Sequence, residues 1–316
     1  MGYWQRTSGG FDDRLVEIAD LFVASRDAFF VTADRFHWTP WPGSPAAQAA
    51  AELPSPDPAL SAPRGETGHR LIAEVVQIFL LTASGHLGGL ASLYRSGEVT
   101  FSPPALVRSV IENCAHAVWV LGEDTGGCEE RLARAYLEEL LSAEEAKENA
   151  GRMYGKSHAS YESANNHYRI LKAEIMERFP GTTRESLGAS PRALIGQSMP
   201  RLGAAVEWMY ELTRSYGGRI DGRQAAGVYG HLSNMTHPTL YPARQRRTWV
   251  EDADTGHGVA DLQVDLGSIT SFARAALAAF YNALTYTSSY FGWPTDVIDE
   301  LATVIERSMP TFFTPG

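Results

Sequence analysis

Apolar residues return at helical spacing through most of the chain. In residues 11–35, FDDRLVEIADLFVASRDAFFVTADR, they recur every three to four positions, with Asp12 and Asp13 near the helix start. The pattern then breaks at HWTPWPGSPAAQAAAELPSPDPALSAPRG, where many prolines forbid a continuous helix. We expect residues 36–65 to form a strap or linker pinned by Trp38 and Trp41. From residue 66 the periodicity predicts helices over 66–96, 103–123, 127–154, 156–179, 190–197, 201–216, 221–236, 266–291 and 294–309. Ser102 before Pro103 and Pro104 marks a helix start, because proline's missing N–H costs nothing there. Gly-Trp-Pro-Thr at 292–295 parts the last two helices. Residues 246–265 differ: two β-tolerant runs flank Asp-Thr-Gly-His-Gly, which predicts one short hairpin. No repeat and no sustained heptad is present. The expected fold is all-α, one helical domain over 1–316 with eight to ten helices and the strap inside it.

Two polar stripes interrupt the apolar pattern. On a helix over 221–237, Tyr229, Ser233 and His237 stand at i, i+4 and i+8, beside an apolar arc of Ala225, Val228, Leu232 and Met235. Pro238 ends that helix, so His237 sits at its C-terminus, where the dipole favours a protonated imidazole. On the helix over 102–124, Arg108, Glu112 and His116 have the same spacing, and Trp119 continues the stripe. A solvated face is the plain alternative for each stripe, but Trp119 prefers burial and Tyr229 and Ser233 prefer hydrogen-bond partners. We expect the stripes to face each other as one polar cluster inside the bundle.

Composition narrows the function classes. A hydrophobic share of 44% supports a large core, and a charged share of 20% is too low for a disordered chain. The net charge of −10 disfavours nucleic acid as a partner, since an acidic chain is repelled by phosphate. Cys114 and Cys128 form no C-x-x-C pair, which argues against disulfide frameworks and cysteine-rich zinc sites and fits a reducing compartment. The opening MGYWQRTSGGFDDR lacks a basic flank followed by an apolar run, so no signal peptide is expected. Residues 71–94 are the most apolar, but Glu74, Gln77 and His86 interrupt them, which predicts a buried helix rather than a membrane span. The expected setting is cytoplasmic, with a homo-oligomer compatible with it and no membrane partner.

The motifs RSVIENCAHAVWVL and YGHLSNMTHPTLY, with TASGHLGGLASLYRSG ahead of them, resemble those of an uncharacterised, mainly actinobacterial family. Its members carry R-x-x-x-E and, much later, Y-x-x-L-S-x-x-x-H. The resemblance spans roughly residues 70–290 and implies an all-helical fold with a shared cluster of Arg108, Glu112, Tyr229, Ser233 and His237. It implies no activity and names no cofactor.

The residue types allow four chemistries. In a small-molecule site, His237 would act as base, Glu112 would orient it, Ser233 would stand one turn away, and Arg108, Tyr229 and Trp119 would bind substrate. The chain lacks the G-x-S-x-G context that exposes a nucleophilic serine. A metal would draw on Glu112, His116 and His237, with His86 or His231 as further ligands, but E-x-x-H occurs only at Glu66–His69, and the similar Asp254–His257 falls in the expected hairpin. An RNA-cleaving helical domain would use an R-x(4–6)-H motif; Arg152 with His158 and Arg64 with His69 fit, at the rate chance allows. The fourth reading is a cluster that only specifies core geometry. The run EELLSAEEAKE at 138–148 reads as a solvated face.

Overall fold

The computed structural model describes residues 9–55, 66–123, 126–214, 220–237, 240–262 and 264–313. Its elements run α1 (Gly9–Phe36), α2 (Pro45–Glu52), α3 (Gly68–Ser96), α4 (Pro103–Leu121), α5 (Cys128–Tyr154), α6 (Ala159–Arg178) and α7 (Arg184–Gly188). They continue with β1 (Ala193–Leu194), β2 (Gln197–Ser198), α8 (Leu202–Arg214), α9 (Gly222–Thr236), α10 (Tyr241–Gln245), β3 (Arg247–Glu251), β4 (Gly258–Leu262), α11 (Leu266–Phe291) and α12 (Asp296–Ser308). The fold is all-α, with two short antiparallel hairpins among the described residues.

Helix α4 is the axis of the bundle. Its residues from Cys114 to Leu121 are all buried, and it packs against α3, α11, α8 and α9. An apolar stripe wide enough to cover most of a helix forces it to the centre, because each exposed face would cost about 25 cal/mol per Å². Pro103 starts the helix as the sequence predicts, although the Ser102 side chain makes no capping hydrogen bond. The α3 helix is the one described helix long and apolar enough to cross a membrane; here it packs against α1 and α4. Tyr94 on α3 donates to the Ile269 carbonyl of α11 at 2.9 Å, joining two helices that flank α4.

The strap contains a helix the sequence reading missed. Ser44 accepts from the Ala47 N–H at 3.1 Å and Pro45 takes the first turn, the same cap-then-proline signal as at 102–104. Trp41 N–H donates to the Phe291 carbonyl at 2.8 Å, and Trp293 Nε1 donates to the Thr39 carbonyl at 2.8 Å. So Trp41 pins the strap through its backbone while its ring stays exposed, and Trp38 pins it through its ring, in edge contact with Phe291 and Trp293. Gly292 closes α11 with φ 72°, and a Cβ there would meet Ser44 Cβ at 2.8 Å; only glycine allows the strap so near.

Two further departures have local causes. Residues 190–197, predicted helical, include β1 and the turn to β2: Ile195 and Gly196 both take positive φ, the geometry of a two-residue hairpin turn. The short helices α2, α7 and α10 raise the helix number above eight to ten. The hairpin expected within 246–265 is present as β3–β4.

Burial also silences the thiols. Cys114 is fully buried, and its pKa is pushed far above the usual thiol range; at Cys128 burial, and then a hydrogen bond with Glu52, push in the same direction. Native protein should therefore react with Ellman's reagent far more slowly than denatured protein, in which both thiols react. Immediate labelling of Cys114 in the native state would contradict the central position of α4.

Candidate functional site

The two stripes meet where α4 crosses α9. Arg108 donates from Nε to Glu112 Oε1 at 2.8 Å, from Nη2 to the Tyr229 hydroxyl at 3.1 Å, and from Nη1 to the Thr236 hydroxyl at 3.0 Å. Tyr229 donates to Glu112 Oε1 at 2.8 Å, and Thr236 donates on to the Ser233 carbonyl at 2.9 Å. The guanidinium also lies 5.3 Å from the Tyr229 ring centroid. Burial pulls the Arg108 pKa down, but hydrogen bonds and charge from Glu112 and Tyr229 outweigh it, so the guanidinium is held above its ordinary value. Burial and then Glu112 raise Tyr229, against Arg108, so it remains a phenol that can donate. The circuit is nearly closed: Glu112 Oε2 is its one carboxylate oxygen without a hydrogen bond within the cluster.

The remaining expected members are elsewhere. His237 leaves the helix with φ −83° and ψ 151°, and its side chain is exposed, so it does not orient against Glu112. Ser233 and His237 meet through the backbone, where the His237 N–H donates to the Ser233 carbonyl at 3.1 Å. Thr236, which the stripe reading passed over, takes the position next to Arg108. Among the described residues, the proposed Ser-His pair and the Glu112–His237 contact are absent.

His116 and Trp119 face α5 rather than α9. One turn beyond Glu112 the neighbour of α4 changes, and His116 Nδ1 lies 2.5 Å from Glu138 Oε1, with both side chains less than a tenth exposed. The ring packs on Phe79 at 5.6 Å, and its Nε2 is buried without a partner. Glu138 therefore does not belong to a solvated face, as the charge run had suggested. Trp119 is 7% exposed, its carbonyl accepts from Arg134 Nη1 at 3.1 Å, and it is no part of the Arg108 cluster. Glu112, His116 and His237 thus point to three surroundings, and no group of three metal-ligating side chains occurs among the described residues. His86 and His231 supply no ligand set either; the His231 ring stacks on Phe272 at 6.0 Å.

The Arg152–His158 pair is used locally. Arg152 pairs with Glu148 at 2.8 Å, and the His158 ring accepts from the Ser160 N–H as the cap of α6. Arg64 lies outside the described residues.

A cleft of about 450 Å³ opens beside the strap, between the end of α1, the start of α3 and the end of α11. His37 and Trp38 shape it: both take left-handed backbone, φ 48° and 55°, at non-glycine positions. Such conformations cost about 1–3 kcal/mol each and persist where surroundings over-determine them. The surroundings are the Trp38 ring contacts with Phe29, Phe291 and Trp293. The Trp38 indole N–H is buried with no partner.

Opposite lies the start of α3. His69 Nδ1 is 3.0 Å from the Leu53 carbonyl, which can only accept, and 3.2 Å from Ser55 Oγ, so the ring presents its Nδ1–H there. Glu74 Oε2 accepts from the Glu66 N–H at 2.9 Å, and Arg70 lies 3.9 Å from Glu66. Tyr290 and Phe291 complete the aromatic wall, and burial raises the Tyr290 pKa so that its hydroxyl stays protonated. Sequence reasoning noted Glu66–His69 only as a metal-like spacing; Ser44-Pro45 and the aromatic-rich FHWTPW were the available signals. The chain matches no protein-family model, no curated protein and no solved structure.

Proposed function

We propose that this protein binds a small organic cation in the cleft walled by Trp38, Tyr290 and Phe291, with Glu74 as its counter-charge. The observation that carries the reading is the strained pair His37–Trp38, which holds an aromatic wall in one cleft with Glu66 and Glu74. Strain of this kind is concentrated at ligand sites, and the cleft falls in the size range of small-molecule sites. Charge selects the ligand class. Arg70 lies 3.9 Å from Glu66, and the Glu74 carboxylate lines the same cleft as Trp38, Tyr290 and Phe291. Carboxylate plus aromatic faces attract an ammonium group by direct charge and by the ring quadrupole. The Arg108 circuit, in this reading, ties α4 to α9 and takes no ligand.

Benzylamine, benzyl alcohol and benzoate share one ring and differ in charge, so they separate the possibilities. Benzylamine should raise the thermal midpoint most, since a ligand at one hundred times its Kd stabilises by about 2.7 kcal/mol. Glu74→Gln should remove that advantage while leaving the midpoint of the free protein nearly unchanged. Equal or larger shifts with benzoate, or an undiminished benzylamine shift in Glu74→Gln, would overturn the reading.

A further inference from the structure

The described side chains of the β3–β4 hairpin are exposed on both faces. All five residues of β3 are exposed, Trp249 at 63% and Val250 at 43%, and Val259 opposite is 39% exposed. A two-stranded hairpin with neither face covered is marginal in water; three or more strands with an apolar face are needed for stability. Among the described residues nothing covers β3, and its sequence is suited to one kind of partner.

Asp252 N–H donates to the His257 carbonyl at 2.9 Å, which makes 252↔257 a hydrogen-bonded pair. Pairs alternate along an antiparallel ladder, so 250↔259 and 248↔261 are also hydrogen-bonded. The N–H and C=O groups of Arg247, Trp249 and Glu251 consequently point away from β4, to an edge that no described strand covers.

We propose that this edge pairs with the same edge of a second copy, antiparallel and centred on Trp249, giving a four-stranded sheet β4–β3–β3–β4 across a two-fold axis. The sequence of β3, Arg-Thr-Trp-Val-Glu, is complementary to its own reverse. With Trp249 opposite Trp249 of the second copy, Arg247 falls opposite Glu251 at both ends, and Thr248 falls opposite Val250. The same register sets each outward-pointing residue against an outward-pointing residue, so all three form hydrogen-bonded pairs. Any other register loses either that match or the two ion pairs. Neither Arg247 nor Glu251 has an ion-pair partner within the protomer among the described residues; the Arg247 guanidinium rests 4.6 Å from the Trp249 ring centroid. Directly opposed aromatic and opposite-charge pairs stabilise a sheet, and like charges in the same positions destabilise it. An isologous contact of this kind closes at two copies and cannot grow into a filament. A five-residue ladder is small for an interface, so the dimer forms and dissociates with concentration.

Sedimentation velocity over a concentration series tests this with charge reversals. The wild-type chain should shift from monomer to dimer as concentration rises. Arg247→Glu and Glu251→Arg, each placing like charges opposite at both ends, should each weaken association on the order of tenfold. The double reversal restores opposite charges and should restore association. Circular dichroism of each variant checks that the bundle is intact. A chain that stays monomeric throughout, single reversals without effect, or a double reversal no better than the singles would each overturn the proposal.

Discussion

Glu138→Ala should lose about 3–5 kcal/mol of unfolding free energy, the largest effect expected of any polar substitution in this chain. His116 and Glu138 are 8% and 5% exposed at the side chain and 2.5 Å apart. The histidine already has a buried Nε2 with no partner. Removing the carboxylate strands Nδ1 as well, in a site walled by Phe79, and leaves a cavity where the glutamate stem packed. His116→Leu should be nearly as costly, because it leaves a carboxyl group buried without its donor. The pair differs from a surface ion pair in its response to double substitution. His116→Leu with Glu138→Leu exchanges two polar groups for two apolar ones of similar volume, and should recover most of the loss. Urea unfolding of the four proteins measures this. Single variants within about 1 kcal/mol of wild type would mean that water reaches the pair.

The fate of these residues shows how far a periodic reading carries. The i, i+4 spacing of Arg108 and Glu112 placed both on one face, and the structure joins them to Tyr229 as expected. Spacing describes one helix, however, and not what lies beside each turn of it. Between Glu112 and His116 the chain climbs about 6 Å, far enough for α5 to replace α9 as the neighbour. His237 failed for a different reason. Its place in the stripe assumed 100° of rotation per residue to the end, but the residue before a proline is pushed to extended backbone, and ψ 151° turned the ring outward. Thr236, the last residue with helical geometry, inherited the contact. The cleft was hidden because the left-handed turn that builds it uses histidine and tryptophan, where a sequence reading looks for glycine or asparagine.

The Arg108 circuit carries the other large effect, and it separates the residues that meet from the one that does not. Glu112→Ala should cost about 2 kcal/mol. It removes the acceptor of both Arg108 Nε and the Tyr229 hydroxyl, and leaves a guanidinium that is only a fifth exposed without its counter-charge. The figure stays below that of the His116 pair because water still reaches the cluster and screens it. Tyr229→Phe deletes one hydroxyl and should cost about 1 kcal/mol. Since that hydroxyl donates to Glu112 and accepts from Arg108, the two changes share an interaction, and a double-mutant cycle should show coupling of about 0.5–1 kcal/mol. His237→Ala should fall within about 0.5 kcal/mol of wild type and add to Glu112→Ala without coupling, because its ring is exposed and bonded to neither partner. Strict additivity between Glu112 and Tyr229 would dissolve the circuit into separate surface contacts. Coupling between Glu112 and His237 would instead require the end of α9 to turn its histidine inward, and the position of Thr236 against Arg108 would then have to be given up.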